Sequence, residues 1–559
     1  MIDATANLPP ETKLYALRFC SQPSLLAVSQ VSHDWRKAAK MDSRLCLTAS
    51  FELPHTPGKS QEGLVERVGY AREHGFWLRM KLQVVPQSRG RRGPFDPPPD
   101  KCSPSDHRIW RAVLEEVSCA MDISTYLDVA VPYDLWMTTS AWLSELAAPV
   151  LQILRLALPH CQPTGLAVPI RPLVAHNLLR GLASSLKSVT LSHISLAVPD
   201  GPILAFRQVR HVHVKFSPES DATFEDSAGV AQRQISVAAM FPSVSDLHIE
   251  RLLYTYSIHA QRPLHSEDYR RRIDLRGTRL HVLGVSDYAD AAPTESLAVF
   301  DPAGQSSSSE VPVVRVSSYR VDSHDSALQH LAASLQRYLQ ESIPTNEAHR
   351  GGLELLAMYV PEDEHLAAFS FRLIDKRSGR ERLYATSHHI PRNRPDFPTV
   401  TLAGVMTPFI SHLTHATVEQ KFLSSLLLAA EKNRAALRLV RLTIQLRESW
   451  LTGVLEFTEA PKSFNVPTLT TMCVCAIGKP EWLSAAVLLW IVKIMGLDTD
   501  PRRHLRLGLQ GVFISNLPAP PSADPLRAFT EITRDSSSIE DDAEVEHNLW
   551  SETDPDQLY

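Results

Sequence analysis

From about residue 106 onward the chain alternates short apolar tracts with longer stretches of mixed polarity. Ten of the tracts fit the pattern L-x-x-L-x-L, in which Val, Ile, Met or Phe can replace Leu. Apolar positions at this spacing favour strands that bury one face. The tracts begin at residues 151, 186, 209, 244, 280, 311, 353, 397, 439 and 469, so successive starts are 23 to 44 residues apart.

Several intervals between the tracts contain a helix candidate, as in residues 172–186 and 326–343, and another candidate, residues 481–496, follows the tenth tract. One strand and one helix per unit, stacked sideways, is the arrangement of a leucine-rich-repeat solenoid. The tracts therefore predict an α/β fold, an irregular leucine-rich-repeat-like solenoid with units longer than the usual length of about 20–29 residues. A less regular α/β domain would give the same tracts.

The segment before this region, residues 8–40, predicts a small bundle of three short helices. Pro9 and Pro10 precede the first helix and Pro23 opens the second, where a proline costs no hydrogen bond. Ser32 is a candidate N-cap for the third helix. Because so small a bundle cannot be stable alone, its apolar residues must pack on the next domain, on a partner, or on both.

The apolar residues of this segment follow a recognisable order. They are Leu8-Pro9 with Glu11, then Leu14, Leu17, Leu25-Leu26, Val28, Val31 and Trp35-Arg36. In order and spacing they resemble an F-box, the module by which substrate receptors bind the Skp-type adaptor of cullin-RING ubiquitin ligases. The resemblance implies that Val31 and Trp35 form the module core, and that the adaptor is bound by Leu8, Pro9, Leu14, Leu17, Leu25, Leu26 and Val28.

The sequence departs from the F-box pattern in its first helix. Thr12, Lys13 and Ala16 stand where the family commonly has bulkier apolar residues. The first helix should therefore bind the adaptor less tightly than a typical member does, or through different contacts.

A docking module followed by a repeat surface is the layout of many F-box proteins. It implies a non-catalytic substrate-recognition subunit that binds a Skp-type adaptor, and through it a cullin scaffold, and presents an unknown target protein for ubiquitination. Three alternatives stay open. The chain could be a leucine-rich-repeat-like interaction scaffold unrelated to ubiquitination, or an enzyme whose site is assembled from distant residues. The apolar residues of the bundle could also serve only to pack it against the following domain.

Composition divides the chain into four parts. Residues 1–48 are the F-box-like adaptor-binding module, and residues 86–105, dense in Pro, Gly and Arg, are a loop or linker. Residues 106–515 form the degenerate leucine-rich-repeat-like domain. Residues 516–559 are predicted to be an acidic, disordered tail, because Asp535–Tyr559 contains nine acidic residues and no Lys or Arg.

The net charge and the cysteine content indicate which binding partners and which cellular compartment to expect. A net charge of −5 gives no basic footprint, so no nucleic-acid partner is expected. Seven scattered cysteines form no regular framework, which favours a reducing compartment, the cytoplasm or the nucleus. The first ten residues lack the features of a signal peptide. The most apolar stretch, Trp482–Gly496, contains Lys493 and is shorter than the roughly 20 residues of a spanning helix, so no membrane partner is expected.

The sequence contains no recognisable catalytic motif. Gly58-Lys59-Ser60 resembles the end of a phosphate-binding loop, but Leu53 occupies the place of the first glycine. Cys473 and Cys475 are two apart in an apolar tract, so they share one strand face and are expected to be buried thiols. Neither catalytic residues, nor a metal site, nor a cofactor are predicted.

Overall fold

In the computed structural model the chain divides into two compact units. The first comprises Met1–Arg251 and Ser257–Leu280, and the second comprises Leu252–Tyr256 and His281–Leu558. Each unit is a mixed α/β structure with a sheet in which parallel pairing dominates, as the predicted α/β class requires. The structure describes residues 8–17, 28, 32–41, 46–53, 60–84, 102–158, 174, 176–194, 202–215, 235–250, 273–287, 297, 300, 310–321, 333–339, 352–361, 366–389, 403–433, 438–447, 466–497, 504–515 and 525–535.

The sheet of the first unit is parallel throughout its described strands, and spatial order follows chain order. These strands are β1 (Cys46–Leu53), β2 (Trp77–Val84), β3 (Ser124–Ala130), β4 (Ile153–Ala157), β5 (Ser188–Ser192), β6 (His211–Lys215) and β8 (Asp246–Glu250). A separate two-residue pairing joins β7 (Ile235–Ser236) to β9 (Ile273–Asp274). Parallel neighbours require crossover connections, so every strand is followed by a segment that returns along the same sheet.

The described helical structure in the crossovers decreases along the first unit. Its described helices are α1 (Pro10–Leu17), α2 (His33–Met41), α3 (Gln61–His74), α4 (Pro104–Cys119), α5 (Tyr133–Glu145) and α6 (Val237–Met240). Helices α3, α4 and α5 connect the first four strands, whereas single 3₁₀ turns, Leu178–Gly181 and Leu204–Phe206, precede β5 and β6. Local capping fixes the longer helices. Ser103 and Asp106 form a reciprocal capping box at the start of α4.

The apolar tracts found in the sequence form the buried face of the sheets. In eight of the ten tracts all three apolar positions are buried, namely those beginning at 151, 186, 209, 244, 280, 311, 439 and 469. The tract at 353 differs because its first residue, Leu353, already belongs to the strand. Side chains alternate between the two faces of a strand, so Leu355 and Ala357 are buried while Leu356 is only half-buried. The tract at 397 lies outside the described residues.

The sheet of the first unit begins earlier than the sequence predicts. β1 and β2 precede residue 86 and pair with each other, and β2 pairs with β3, so the sheet does not start after the predicted linker at 86–105. Most of that linker lies outside the described residues, and α4 already begins at Pro104. The tract pattern missed β1 and β2 because its first position is polar or aromatic there: Thr48 precedes Phe51 and Leu53, and Trp77 precedes Met80 and Leu82.

The N-terminal module is described in part. α1 begins at Pro10 and α2 begins directly after Ser32, as predicted, and the Trp35 amide donates to the Ser32 hydroxyl at 3.4 Å. The predicted middle helix lies outside the described residues except for Val28, which is helical.

The second unit contains a parallel sheet interrupted by one antiparallel strand. Its spatial order is β10 (Val282–Asp287), β11 (Val313–Val321), β14 (Arg380–His389), β13 (Leu366–Asp375), β12 (Leu353–Pro361), β15 (Leu413–Glu419), β16 (Arg441–Leu446), β17 (Thr471–Ala476), β19 (Arg506–Gln510) and β21 (Glu531–Asp535). Strand β13 is antiparallel to both neighbours. It joins β14 through a tight turn in which Gly379 adopts a φ of 69°.

Helices and a small second sheet complete the second unit. α7 (Gln420–Asn433) connects β15 to β16, and α8 (Ala485–Ile494) follows β18 (Glu481–Ser484), which pairs with β20 (Val512–Ser515). The apolar stretch Trp482–Gly496 thus folds into most of β18 and all of α8, whose residues are mostly buried. No described helix is both long and apolar enough to cross a membrane.

The fold also extends past residue 515, where the predicted tail begins. Strand β21 pairs in parallel with β19, in register from Arg506 opposite Glu531. All five of its side chains are exposed, so the strand is held by backbone hydrogen bonds and carries no apolar pattern that would reveal it in the sequence. Residues after Asp535 lie outside the described part.

Candidate functional site

The N-terminal module has a small apolar core. Leu17, at the end of α1, and Ala38, on α2, are buried against each other, and Val28, Trp35 and Phe76 pack around them. Phe76 lies between α3 and β2, so the core of the module packs against a residue of the structure that follows it. This packing satisfies the physical requirement that so small a bundle be supported from outside.

An ion pair also ties α1 to α2. Lys13 Nζ lies 3.4 Å from Asp34 Oδ2, and the Lys13 side chain is almost fully buried. Lys13 stands where the F-box pattern commonly has an apolar residue, and the ion pair with Asp34 accounts for a charge at this position. The departure from the family pattern is therefore accommodated inside the module.

The residues predicted to bind the adaptor have different environments. Leu8 is 39% exposed and Pro9 is also exposed, so both are available to a partner. Leu17 is only 1% exposed and Val28 is half-buried, because both pack in the core with Trp35. The side chain of Leu14, together with Leu25, Leu26 and the predicted core residue Val31, lies outside what the structure describes.

A second candidate surface is the outer face of the sheet in the first unit. Strand alternation sends apolar side chains to one face and polar ones to the other, and register aligns the polar ones in rows across the strands. The central row runs from β1 to β8 through Ser50, Lys81, Asp128, Arg155, Thr190, His213 and His248.

Three cations surround Tyr126 on this face. The guanidinium carbons of Arg79 and Arg155 lie 4.7 Å and 5.5 Å from the ring centroid, and Lys81 Nζ lies 5.8 Å from it. Burial and the neighbouring Asp128 carboxylate raise the pKa of Tyr126, so its hydroxyl stays protonated and donates to Asp128 Oδ2 at 3.2 Å. We call these three cations around Tyr126 the cationic patch. It suits acidic groups on a bound molecule.

Histidines and carboxylates cluster at the other end of the same face. His213 Nε2 lies 2.9 Å from Glu250 Oε1, Lys215 Nζ lies 3.0 Å from Glu250 Oε2, and the rings of His213 and His248 meet edge to face. Burial raises the pKa of Glu250, but contact with His213 and the charges of His213, His248 and Lys215 lower it more. The net result is a pKa well below the usual range, so the carboxylate is ionised near neutral pH.

Sequence reasoning missed both the cationic patch and the histidine cluster, because their members are far apart along the chain. Arg79 and Arg155 come from strands separated by β3, and His213 and His248 are 35 residues apart. A local signal was nevertheless present. The segments HVHVK (211–215) and DLHIE (246–250) place titratable residues on alternate positions of apolar tracts, which puts them on one strand face.

The two cysteines of β17 lie on one strand face, as predicted. Cys475 is buried and Cys473 is half-buried, with its sulfur 3.9 Å from Arg441 Nη2. Burial raises the pKa of Cys475 to about 11, so it is protonated at neutral pH. A protonated thiol is a poor nucleophile and a poor metal ligand.

Comparison with known proteins bears on the N-terminal module. No curated protein matches the chain. Residues 6–47, which contain α1, α2 and the segment between them, match the F-box domain. This match confirms the resemblance seen in the sequence: the chain carries an F-box domain at its N-terminus.

Proposed function

We propose that the chain is a non-catalytic substrate-recognition subunit that binds a Skp-type adaptor, and through it a cullin scaffold, and presents a target protein for ubiquitination. The observation that carries the proposal is the F-box domain at residues 6–47, in which Leu8 and Pro9 remain exposed. Ubiquitin transfer in such an assembly uses residues of other chains. This chain contributes two binding surfaces and raises the effective concentration of its target near the charged enzyme.

The adaptor surface contains the exposed start of the module. Leu8 and Pro9 precede α1, while Leu17 closes the core against Ala38 and so supports the surface from behind. Leu14, Leu25, Leu26 and Val28 remain predicted members of the surface. A few apolar anchors of this kind are enough for a standard interface when polar groups at the rim are satisfied.

The target surface is the polar face of the parallel sheet in the first unit. The fold is proposed to be a degenerate leucine-rich-repeat-like solenoid, supported by the regular parallel register and by the buried tracts that recur along both units. In such folds the outer face of the sheet is an extended binding surface. The cationic patch of Arg79, Lys81 and Arg155 favours a target segment that carries acidic groups.

Adaptor binding tests the first half of the proposal. The purified chain is expected to form a stable complex with a recombinant Skp-type adaptor, with a Kd measurable by calorimetry. Leu8→Asp is expected to weaken binding about ten- to hundredfold, because one buried leucine contributes about 1.5–3 kcal/mol. Leu25→Asp combined with Leu26→Asp is expected to abolish binding.

The matched control for adaptor binding is Val65→Asp. Val65 lies on α3, outside the F-box, and is 42% exposed, close to the exposure of Leu8. The Val65→Asp substitution introduces the same charge at a similar apolar surface site and should leave the Kd for the adaptor unchanged. A wild-type chain that does not bind the adaptor would contradict the proposed function. If it pulls down other stable partners but neither adaptor nor cullin, it is an interaction scaffold instead.

Removing two of the three charges of the cationic patch tests the target surface. Arg79→Gln combined with Lys81→Gln removes two charges from the outer face, where neither side chain is buried. Recovery of target proteins in affinity purification is expected to fall several-fold while adaptor recovery stays unchanged, since phosphate-like and carboxylate groups lose their partners. Lys432→Gln, which changes an exposed lysine of α7 in the second unit, is the control. Equal target recovery from both variants would place the target elsewhere.

A further inference from the structure

The outer face of the first unit contains a compact group of nitrogen and oxygen donors. His213 belongs to β6, whereas His248 and Glu250 belong to β8, the next strand of the sheet. His213 is directly opposite His248 in the backbone register, and Glu250 lies two residues further along β8, on the same face. Two rigid strands therefore hold all three side chains.

The donor atoms are close enough to share one ion. One ligand atom from each of the three residues lies within 4.8 Å of the other two. The separation between His213 Nε2 and Glu250 Oε1 is 2.9 Å. Zinc bonds to His nitrogen and carboxylate oxygen are about 2.0–2.2 Å long, so ligand atoms around one ion lie roughly 3–4 Å apart. The 2.9 Å separation and the 4.8 Å limit lie on either side of that spacing.

Two of these donors are buried. His213 Nε2 is buried and lies 2.9 Å from Glu250 Oε1 without the geometry of a hydrogen bond. Glu250 is 8% exposed, and its two carboxylate oxygens lie beside His213 Nε2 and Lys215 Nζ. Buried charges and buried ring nitrogens are usually paired or metal-bound.

Among the described residues around the group, Lys215 opposes a cation. Its Nζ lies 3.0 Å from Glu250 Oε2, on the oxygen that does not face His213. An ion held by Oε1 leaves this contact in place, but the lysine charge still repels the ion. Removal of the lysine charge should therefore strengthen metal binding, which a purely structural role for the cluster does not explain.

We propose that His213, His248 and Glu250 bind one divalent transition-metal ion, most favourably Zn²⁺. Two imidazoles and one carboxylate are a donor set that zinc accepts, with a fourth position left for water or for a donor on a bound protein. The site is independent of adaptor binding by the F-box. It lies on the face proposed to bind the target, where a metal ion with an open position would add a specific contact.

The test is titration of the full-length chain, stripped with EDTA and dialysed, with Zn²⁺ alone against a chromophoric chelator. One site is expected. His248→Ala should weaken it at least tenfold, and Lys215→Gln should tighten it. His211→Ala is the matched control, because His211 lies on the same strand and face but contacts Asp246 at 2.6 Å instead.

The outcomes separate the proposal from a general affinity of the protein for zinc. Wild-type protein that binds no zinc, or equal affinities for His248→Ala and His211→Ala, overturns the site. Circular dichroism checks the fold of each variant. If His248→Ala is misfolded, Glu250→Gln takes its place, since it keeps the shape of the side chain while removing the charge, and it must show the same loss.

Discussion

Replacing Trp110 with alanine is expected to destabilise the first unit by about 3–5 kcal/mol, the usual cost of removing a buried tryptophan. Trp110 lies on α4 and is fully buried. Its ring packs near Phe51 of β1 with centroids 6.2 Å apart, and its Nε1 donates to the Thr139 hydroxyl of α5 at 3.0 Å. One side chain thus joins two helices to the first strand of the sheet.

Hydrogen exchange measured by mass spectrometry can localise this loss. Peptides covering β1 and α5 should exchange faster in Trp110→Ala, while peptides of the second unit, such as those covering β16, serve as an internal reference. Trp110→Phe is the matched control. It keeps an aromatic ring in the core but loses the indole donor and part of the ring volume, while Thr139 retains its own hydrogen bond to the Leu135 carbonyl. Its expected cost is about 1–3 kcal/mol, less than that of alanine. Equal exchange in Trp110→Ala and wild type would show that Trp110 does not hold these elements together.

The sequence predicted a strand wherever the apolar pattern that favours a strand also supplied the side chains that the strand buries. Tracts such as Leu151–Leu156 supply two inward side chains of a strand and one residue just before it, and all of these are buried. In β2 the alternation of Leu78, Met80, Leu82 and Val84 is just as regular. It was missed because a search for L-x-x-L-x-L does not detect simple alternation.

One missed strand has a specific chemical cause. In β3 the first position of the tract is Ser124, which is fully buried. Its hydroxyl donates to the Ala120 carbonyl at 2.6 Å, and this bond satisfies the polar group inside the core. Sequence patterns treat a serine as polar and exposed, and only the local backbone shows where its hydrogen bond goes.

The candidate sites differ in how far the sequence could predict them. The F-box is a contiguous segment, so residue order alone indicated it, and the exposure of Leu8 agrees with a docking role. The same order could not distinguish Leu8 from Leu17, which faces inward, because that difference depends on how α1 packs against α2. The surfaces on the sheet depend on register between distant strands, which a single sequence does not reveal.

Arg382 is expected to be as important to the second unit as Trp110 is to the first. It lies on β14 and is only 1% exposed, which is unusual for an arginine. One guanidinium nitrogen, Nη1, donates to three backbone carbonyls, those of Val311 at 3.1 Å, Pro312 at 3.0 Å and Glu381 at 2.9 Å. The first two lie just before β11, so the side chain fixes the segment that leads into the neighbouring strand.

Arg382→Leu is therefore expected to cost about 3–5 kcal/mol, because it removes the charged donor that these buried carbonyls share, although the Pro312 carbonyl still accepts from the Glu381 amide at 2.8 Å. Hydrogen exchange should rise in β11 and β14 and stay unchanged in β3 of the first unit. Arg382→Lys keeps the charge but lacks the planar fork of donors, so it should recover only part of the loss. If lysine restores full protection, charge alone is what the site requires. If leucine has no effect, the carbonyls find other donors and Arg382 does not organise this part of the sheet.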